Sequence, residues 1–306
     1  MLTVAYFTNR RDCKWQWFAD SLKRETKGIW DDIKLVVVDF SRGLPDRDKY
    51  IVEPDGCKRF VHVEPKPNVW QGKHRLTTQD YFAASNARNT AICHAEDGWI
   101  AFVDDLSVLM PGWLSRVRLA QNEGYIALGA YKKVKDLVVE KGDVKSFTPH
   151  PPGVDSRWGY GADTNAVPCS GSWMFGCSVA APVEALLTIN GFDEDCDSLG
   201  SEDYIAGIMM ERNGFTFRYD RQMLTLESEE DHFKEQPFKR TDKGFSPNDK
   251  SHAILNMVRE GRGYAPNYFG EGGIRALRKR ILAGDPFPIQ QIPQHDWFDG
   301  QPISEF

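Results

Sequence analysis

The sequence predicts an α/β protein in which helices flank a doubly wound, mostly parallel sheet, with a helical extension at the C-terminal side. Over the first 115 residues, short apolar segments alternate four times with helical patterns through short connections, as in doubly wound sheets. Several of the segments are nearly continuous runs of apolar residues, which is typical of strands buried on both faces. A chain of 306 residues with 41% hydrophobic content can bury a full core around such a sheet.

Each element of the first half follows from its residue pattern. Residues 2–8 are rich in β-forming side chains and stop at a polar loop, after which residues 15–25 have amphipathic helical spacing. Residues 34–40 form an apolar run that closes on Asp39 and a Ser-Arg-Gly turn. The remaining predicted elements of this half are a strand at 59–64, a helix at 79–94 and a strand at 100–103.

The second half is predicted from the same signals and contains one long loop. A helix at 112–121, a strand at 125–131 and a hairpin-like turn near 141–143 precede a Pro- and Gly-rich loop at 148–172. The next predicted elements are a strand at 174–179, helices from 182 and at 204–213, and strands at 215–220 and 223–227. Beyond 233 the pattern indicates a polar loop, an amphipathic helix to 260, a basic helix at 273–282 and a Pro-rich tail.

Composition and charge narrow the function classes. The formal net charge is −6 with both signs interspersed, which disfavours nucleic acid or an anionic membrane as a partner, although the basic run 275–280 leaves a local groove open. Six cysteines at irregular intervals, without a CxxC pair, fit free packing thiols in a reducing compartment. Neither a secretion signal nor a membrane-spanning run is recognisable, so we expect a cytoplasmic protein.

Asp104 and Asp105 form the first of two acidic clusters that suggest a site. They directly follow the apolar run 100–103. Ligands of open α/β sheets bind at the carboxyl ends of strands, and a divalent cation with substrate phosphates is a common partner for paired carboxylates. The structural alternative is an acidic turn before the helix near Pro111.

The second acidic cluster lies roughly a hundred residues further along the chain. It places six acidic side chains within residues 193–203, and the last two, Glu202 and Asp203, come at the start of a predicted helix. An acidic pair at a helix N-terminus is an ordinary structural feature. Two clusters at strand or loop ends can nevertheless converge in one cleft.

Two ordered motifs carry a family resemblance. They are SNARNTAICHAEDGWIAFVDDLSVLMPGWL and GSWMFGCSVAAPVEALLTINGFDEDCDSLGSEDYIAGIMMERNG. They resemble the Ala-Arg-Asn helix, DXD loop and Pro-Gly-Trp-Leu segment, and the later Gly-Phe-Asp-Glu turn and Glu-Asp helix, of inverting GT-A fold glycosyltransferases of the family 2 type and their galactosyltransferase-like relatives. The resemblance implies a catalytic domain at 1–233, with a nucleotide-sugar half at about 1–115 and an acceptor half at about 116–233. Residues 234–306 are then a mobile loop, C-terminal helices and a tail.

The resemblance also implies a chemistry and a metal site. A sugar is expected to move from a nucleotide-sugar, with a UDP-sugar as the expected donor, to an acceptor hydroxyl, with Mn²⁺ or Mg²⁺ as cofactor. Asp104 and Asp105 are placed at the metal, Asp104 also near the donor ribose. His232 resembles the family's third ligand, and His252 is its rival. The family's second DXD aspartate would fall on Leu106, which is a departure from the pattern.

By the same resemblance Asp203 is the base that takes the acceptor's proton, with Glu202 beside it and the helix N-terminus keeping the carboxylate ionised. Arg88 is placed at the nucleotide or its phosphates, and a solvated helix arginine is the alternative. Asp39 is placed at the nucleotide base, and a turn aspartate is the alternative. The donor pocket of the family begins at the end of the first strand, which here holds Thr8, Asn9 and Arg10.

Aromatic residues of the long loop and its continuation suggest where a substrate sugar binds. Trp158, Tyr160 and Trp173 are expected to stack on sugar rings, with core packing as the alternative for Trp173. The polar loop at 239–250 is expected to close over the diphosphate as a lid.

Three other functions stay open at the level of sequence. The first is a GT-A-like protein that binds a nucleotide or glycan without turnover, which Leu106 favours. The second is a nucleotidyltransferase, which is disfavoured because TNRRDCKW after the first strand lacks the glycines of a phosphate loop. The third changes only the acceptor, to a hydroxymethylated base in DNA, which the acidic net charge disfavours.

Overall fold

The protein is represented by a computed structural model that describes residues 1–67, 83–197, 200–234, 255–256, 258–260, 269 and 271–288. The expected lid at 239–250, His252 and the tail from 289 onward lie outside these residues, as does the side chain of His232. Within the described ranges, no helix is both long and apolar enough to cross a membrane.

Four parallel strands form the first half of the sheet. They are β1 (Leu2–Thr8), β2 (Ile33–Asp39), β3 (Phe60–Val63) and β4 (Trp99–Asp104), and they pair in the order β3-β2-β1-β4. The helices of this half are α1 (Trp15–Thr26), the short α2 (Arg47–Tyr50) and α3 (Ala84–His94). Because parallel strands start on one side and end on the other, their carboxyl ends collect at one edge.

The second half continues the sheet with strands of both directions. Its strands are β5 (Ser107–Leu109), β6 (Ile126–Glu140), β7 (Asp143–Thr148), β8 (Val167–Cys169), β9 (Ser178–Pro182) and β10 (Phe217–Ser228). The order continues β4-β9-β6-β10-β5, with β9 antiparallel to both neighbours and β6 parallel to β10. Its helices are α4 (Trp113–Glu123), α5 (Val183–Thr188), α6 (Glu202–Arg212) and α7 (Glu229–Lys234), followed by α8 (Gly273–Leu282).

Three strands differ from their predicted bounds by more than one residue. The two strands predicted at 215–220 and 223–227 are one strand, β10, with an irregularity between Asp220 and Leu224. There the Asp220 carboxylate accepts hydrogen bonds from the Gln222 backbone at 2.9 Å and from Arg116, so the chain bulges without leaving the sheet. The strand predicted at 125–131 extends to Glu140, and the one predicted at 174–179 begins only at Ser178.

Side chains on the two faces of the sheet build two separate cores. Along β1, Ala5 and Phe7 face the core that includes α3 and α5, whereas Val4 and Tyr6 face the core that includes α1 and α4. The apolar side of α8, with Ile274, Leu277 and Ile281, belongs to the first of these cores. This arrangement, with helices on both faces, is the doubly wound architecture that the sequence predicts.

A glycine pair sets the depth at which α6 packs. A Cβ on Gly207 of α6 would lie 1.9 Å from the carbonyl oxygen of Gly171, and a Cβ on Gly171 would lie 2.1 Å from that of Gly207. Both atoms are backbone, so a side chain at either position forces the helix away. This contact fixes the height of the helix that carries Glu202 and Asp203.

We therefore expect Gly207→Ala to lower the free energy of unfolding by about 1–3 kcal/mol, because overpacking outweighs the better helix propensity of alanine. Urea denaturation measures this change. Gly159→Ala is the matched control, because a Cβ there meets no atom within 4 Å. Equal stability of both variants would contradict the packing role of the glycine pair.

Candidate active site

Polar residues at the ends of β1, β2 and β4 meet at the carboxyl edge of the sheet. The parallel register pairs Phe7 with Asp104 and Thr8 with Asp39. The three strands therefore end at the same level, and the loops that follow them start side by side. This edge is the candidate site.

Asp105 is held from two sides by the end of β1. Its Oδ1 accepts a hydrogen bond from Nη1 of Arg10 at 2.5 Å, and its Oδ2 accepts one from Oγ1 of Thr8 at 2.6 Å. All three residues are buried, as is Asn9 between them. A buried, hydrogen-bonded charge pair has a fixed geometry. Asp105 thus ties the loop after β4 to β1, and direct metal binding by this carboxylate stays a prediction.

Asp104 has an oxygen without a hydrogen bond from the described residues. Its Oδ1 is buried without a hydrogen-bond partner among the described residues, and Nη2 of Arg88 lies 3.9 Å from it. Burial raises the pKa of Asp104 to about 6, and the nearby carboxylates of Asp105 and Glu202 add to this effect while Arg88 opposes it. A partly exposed carboxylate in this state is suited to binding a cationic ligand.

Leu106 occupies the position of the missing DXD aspartate and is a packing residue. Its side chain is 2% exposed, and its φ of 61° is in the left-handed region that β-carbons disfavour. Its backbone N–H donates to the carbonyl of Cys13 at 3.2 Å, and its carbonyl accepts from the N–H of Ser228 at 3.4 Å. Leu106 therefore directs the chain from β4 into β5, and its side chain offers no ligand.

Arg88 connects the carboxyl edge of the sheet to the start of α6. Its Nη1 donates to Oε1 of Glu202 at 2.7 Å, and its guanidinium lies over the rings of Phe7 and Phe192 at 5.0 and 5.2 Å from their centroids. A Cβ at Gly176 would lie 1.9 Å from Nη2, so a side chain there would require the arginine to move. The Glu202 carboxylate is engaged by Arg88, and its action with Asp203 stays a prediction.

Asp203 is oriented by two backbone N–H groups. Oδ2 accepts from Gly176 at 3.1 Å, and Oδ1 accepts from Tyr204 at 2.8 Å. Burial raises the pKa of Asp203 to about 7, the neighbouring Glu202 adds to this effect, and Arg88 opposes it. The expected effect of the helix N-terminus is thus outweighed by burial. A carboxylate with this pKa can accept a proton near neutral pH.

The two sequence motifs are joined directly in the fold. Asp197 accepts hydrogen bonds from the N–H groups of Ser85 and Asn86 at 2.7 and 3.3 Å, which caps the start of α3. Nδ2 of Asn89 donates to the carbonyl of Phe192 at 2.8 Å. The polar residues around Arg88 therefore anchor the acidic loop to α3, so Arg88 and Asp203 are positioned by one connected network.

Solved structures with the same arrangement identify the architecture. S. aureus TarS in complex with UDP-GlcNAc has a TM-score of 0.53 at 14% sequence identity, covering 92% of this chain and 70% of that chain. GalNAc-T7 with UDP, GalNAc and Mn²⁺ has a TM-score of 0.57 at 12% identity, covering 96% of this chain and 52% of that chain. A longer TarS chain has a TM-score of 0.54 at 13% identity, and this chain covers 42% of it.

The chain has the GT-A fold. The fold class predicted from the sequence is thereby confirmed. No protein-family model and no curated protein matches the sequence. The likeness is therefore one of architecture.

Glu227 is a site residue that the sequence analysis missed. It lies near the end of β10, paired across the sheet with Ser107 of β5 and Lys133 of β6. Burial raises its pKa to about 8, and the carboxylate of Asp104 is the charged neighbour that adds most to this effect. The available signal was an acid at the end of an apolar strand, as at Asp39 and Asp104.

The described residues offer two carboxylate oxygens that fit a divalent cation. No three His, Cys, Asp or Glu side chains among them are arranged to hold a metal. Asp104 and Glu227 each have a buried oxygen without a hydrogen-bond partner in this part of the chain. Mg²⁺ and similar cations are commonly bound by one or two carboxylates and completed by substrate phosphates and water. The donor set of this GT-A fold is compatible with that mode.

Asp39 is fully buried and its carboxylate is already engaged. It accepts from Nε of Arg47 at 2.6 Å and from the N–H of Ser41 at 2.9 Å, and Nε2 of His62 lies 3.0 Å from it. Burial would raise the pKa of Asp39, but the hydrogen bonds from His62 and Arg47 outweigh it and lower the pKa. The side chain thus braces the loop after β2, and its contact with a nucleotide base stays a prediction.

Two of the three aromatic candidates, Tyr160 and Trp173, are in contact, and Trp158 lies against two cationic side chains. Tyr160 is 70% exposed, and its ring centroid lies 5.2 Å from that of Trp173, which packs partly on the core. Nζ of Lys132 lies 3.6 Å from the ring centroid of Trp158, and the guanidinium of Arg221 lies 5.1 Å from it. Tyr160 is therefore the ring most open to a ligand, and stacking on a sugar stays a prediction for all three.

Proposed function

We propose that the protein is a glycosyltransferase that moves a sugar from a nucleotide-sugar to an acceptor hydroxyl with inversion, assisted by Mn²⁺ or Mg²⁺. The observation that carries the proposal is the link between two carboxylates of different roles. Asp104, with its open oxygen, and Asp203, with its pKa near neutral, are joined through Arg88 and Glu202. The GT-A structures of TarS and GalNAc-T7 contain UDP-GlcNAc, and UDP with GalNAc and Mn²⁺, respectively, which supports a UDP-sugar as donor.

The donor end of the proposed reaction uses the edge of β1 and β4. The leaving diphosphate gains negative charge as the glycosidic bond breaks, and Arg10 and Arg88 supply positive charge near this edge. Asp104 would hold a divalent cation, which would neutralise this charge without transferring a proton. Asp105 keeps Arg10 in place.

The acceptor end uses Asp203. The acceptor oxygen forms a bond to the anomeric carbon while the bond to the diphosphate breaks, and its proton passes to the Asp203 carboxylate. The two backbone N–H groups that bind Asp203 aim the carboxylate and leave it room to act as base. A single displacement of this kind inverts the anomeric configuration, because the acceptor oxygen attacks from the face of the sugar opposite to the leaving diphosphate.

We expect UDP to bind at least about tenfold more tightly with Mn²⁺ than with a chelator, a difference of about 1.4 kcal/mol. The reason is that a cation held by few protein carboxylates would need the phosphate oxygens of UDP as further ligands. Isothermal titration calorimetry measures both affinities, and a panel of UDP- and GDP-sugars then tests donor turnover. Equal affinity in both conditions would remove the cation from the mechanism and leave Arg10 and Arg88 to neutralise the diphosphate.

One observation favours a second candidate, a GT-A protein that binds a nucleotide-sugar without turnover. Leu106 is buried at the DXD position, so this chain offers one carboxylate fewer there. The same donor panel separates the two functions. Tight binding with neither transfer nor hydrolysis, over glycan and hydroxymethylated DNA acceptors, would support the non-catalytic protein.

A further inference from the structure

Glu227 is buried near the end of β10, beside the loop that follows β4. It is 6% exposed, and its strand neighbours are Ser107 on one side and Lys133 on the other. The next residue, Ser228, donates its N–H to the carbonyl of Leu106 at 3.4 Å. This backbone contact brings the end of β10 directly alongside the DXD-like loop. Glu227 is thereby placed next to the position at which this loop lacks an acid.

The side chain of Glu227 lacks the partners that a buried carboxylate needs. Among the described residues, its Oε1 has no hydrogen-bond partner, and the same holds for Oδ1 of the neighbouring Asp104. The charged groups that act on Glu227 are Asp104 and Asp105, which repel it, and Lys133 and Arg10, which attract it. Arg10 already binds Asp105 at 2.5 Å. Glu227 is buried while Asp104 is partly exposed, and the repulsion between these two carboxylates would be offset by a cation that joins them.

The fold explains why the acid comes from β10. Leu106 cannot bind a metal, and its left-handed backbone and 2% exposure commit it to the core. A hard divalent cation takes oxygen ligands and tolerates their origin in different strands, provided that the oxygens converge. Asp104 at the end of β4 and Glu227 near the end of β10 are neighbouring charges, and the hydrogen bond from Ser228 to Leu106 brings β10 alongside the loop that follows β4.

We propose that Glu227 is a direct ligand of the divalent cation and supplies the carboxylate that Leu106 does not. The inference rests on the proposed function, because it assigns a residue to the cation of that reaction. Glu227 and Asp104 would bind the cation through their open oxygens, and the diphosphate of the donor would complete its coordination.

The test is Mn²⁺ binding by the full-length protein, measured by electron paramagnetic resonance of free Mn²⁺ with UDP held at saturation. Glu227→Gln keeps the shape of the side chain and removes the charge, so we expect Mn²⁺ affinity to fall at least about 10-fold. This is the smallest loss that is usual when a residue that only supports a metal ligand is replaced, and a direct ligand should cost no less. Glu123→Gln is the matched control, because this exposed glutamate pairs only with Arg218 in the described part of the chain. Its Mn²⁺ affinity should equal that of the unmodified protein.

A thermal measurement keeps the test decisive if affinities are difficult to compare. Removal of a repelled, buried charge should leave Glu227→Gln folded and at least as stable as the unmodified protein without metal. Adding Mn²⁺ and UDP should then raise the melting temperature of the unmodified protein and of Glu123→Gln, but not that of Glu227→Gln.

The outcomes separate this inference from the proposed function. If Glu227→Gln binds Mn²⁺ like the unmodified protein whereas Asp104→Asn does not, Glu227 is not a ligand and the transferase proposal is unaffected. If the unmodified protein transfers sugar without any Mn²⁺ binding, the ligand role is wrong while the activity stands. If it neither binds UDP nor transfers sugar, both proposals are wrong.

Discussion

Replacing Asp203 by asparagine is expected to reduce turnover by roughly 10² to 10⁴-fold, the usual contribution of a general base. Asparagine keeps the size and most hydrogen-bonding capacity of the side chain but cannot accept the proton. UDP affinity should change little, because the proposed donor site is the edge formed by β1 and β4. Asp104→Asn should instead weaken nucleotide binding as well. Steady-state kinetics and calorimetry with UDP distinguish these two effects.

The pH dependence follows from the raised pKa of Asp203. The ionised form is the base, so kcat/KM should rise with pH and level off above about 7, the pKa to which burial and Glu202 raise this group. The same shift acts on stability in the opposite direction. The folded state keeps the proton to higher pH than the unfolded chain does, so Asp203 costs stability as the pH rises from about 4 to 7. Asp203→Asn should therefore be no less stable than the unmodified protein at neutral pH.

Glu211→Gln on the same helix is the matched control. The Glu211 carboxylate is exposed and, in the described structure, accepts a hydrogen bond only from the hydroxyl of Ser170. It should retain full turnover and the same pH profile. A helix-capping role predicts a different result for Asp203→Asn, since asparagine caps nearly as well as aspartate and activity would survive. Near-complete activity would leave Glu202 and Asp197 to be tried, although Arg88 and the start of α3 already engage their carboxylates.

The parallel half of the sheet could be predicted because its signals are local. Each of β1, β2 and β4 is a short apolar run that closes on polar residues, and the predicted strand bounds agree with the observed ones to within one residue. The antiparallel insertion of β9 between β4 and β6 could not be predicted, because strand order is set by pairings between distant segments. A single strand that bulges at Asp220 also reads as two strands when only local periodicity is used.

The residues of the candidate site also differ in whether local sequence could predict them. Asp104 and Asp203 could be named from sequence because each stands in a motif at a strand or helix end. The pairing of Glu202 with Arg88 could not, because the two residues lie 114 positions apart and are brought together only by packing. Glu227 was missed for the same reason, since its importance depends on the contact between Ser228 and Leu106. Burial also decided the ionisation of Asp203, and burial is not visible in a motif.

Replacing Arg88 by methionine is expected to destabilise the protein by about 3–5 kcal/mol, the cost of leaving one partner of a buried ion pair uncompensated. Methionine fills much of the volume beside Phe7 and Phe192 but leaves the Glu202 carboxylate without its 2.7 Å partner. Arg275→Met is the matched control. Its pair with Glu184 is as short, at 2.5 Å, but both side chains are more than half exposed, so the loss should be about 0–1 kcal/mol. Urea unfolding measures both changes.

A second readout shows whether Arg88 also acts electrostatically on the proposed base. Arg88 opposes the rise in the pKa of Asp203, so its removal should move the midpoint of the pH–rate profile to higher pH. Lower stability with an unchanged midpoint would mean that Arg88 supports packing alone. Lower stability with a raised midpoint would tie the donor edge to the base, because the same guanidinium lies 3.9 Å from Asp104 and helps to set the ionisation of Asp203. Arg275→Met, which contacts neither carboxylate, should leave the midpoint unchanged.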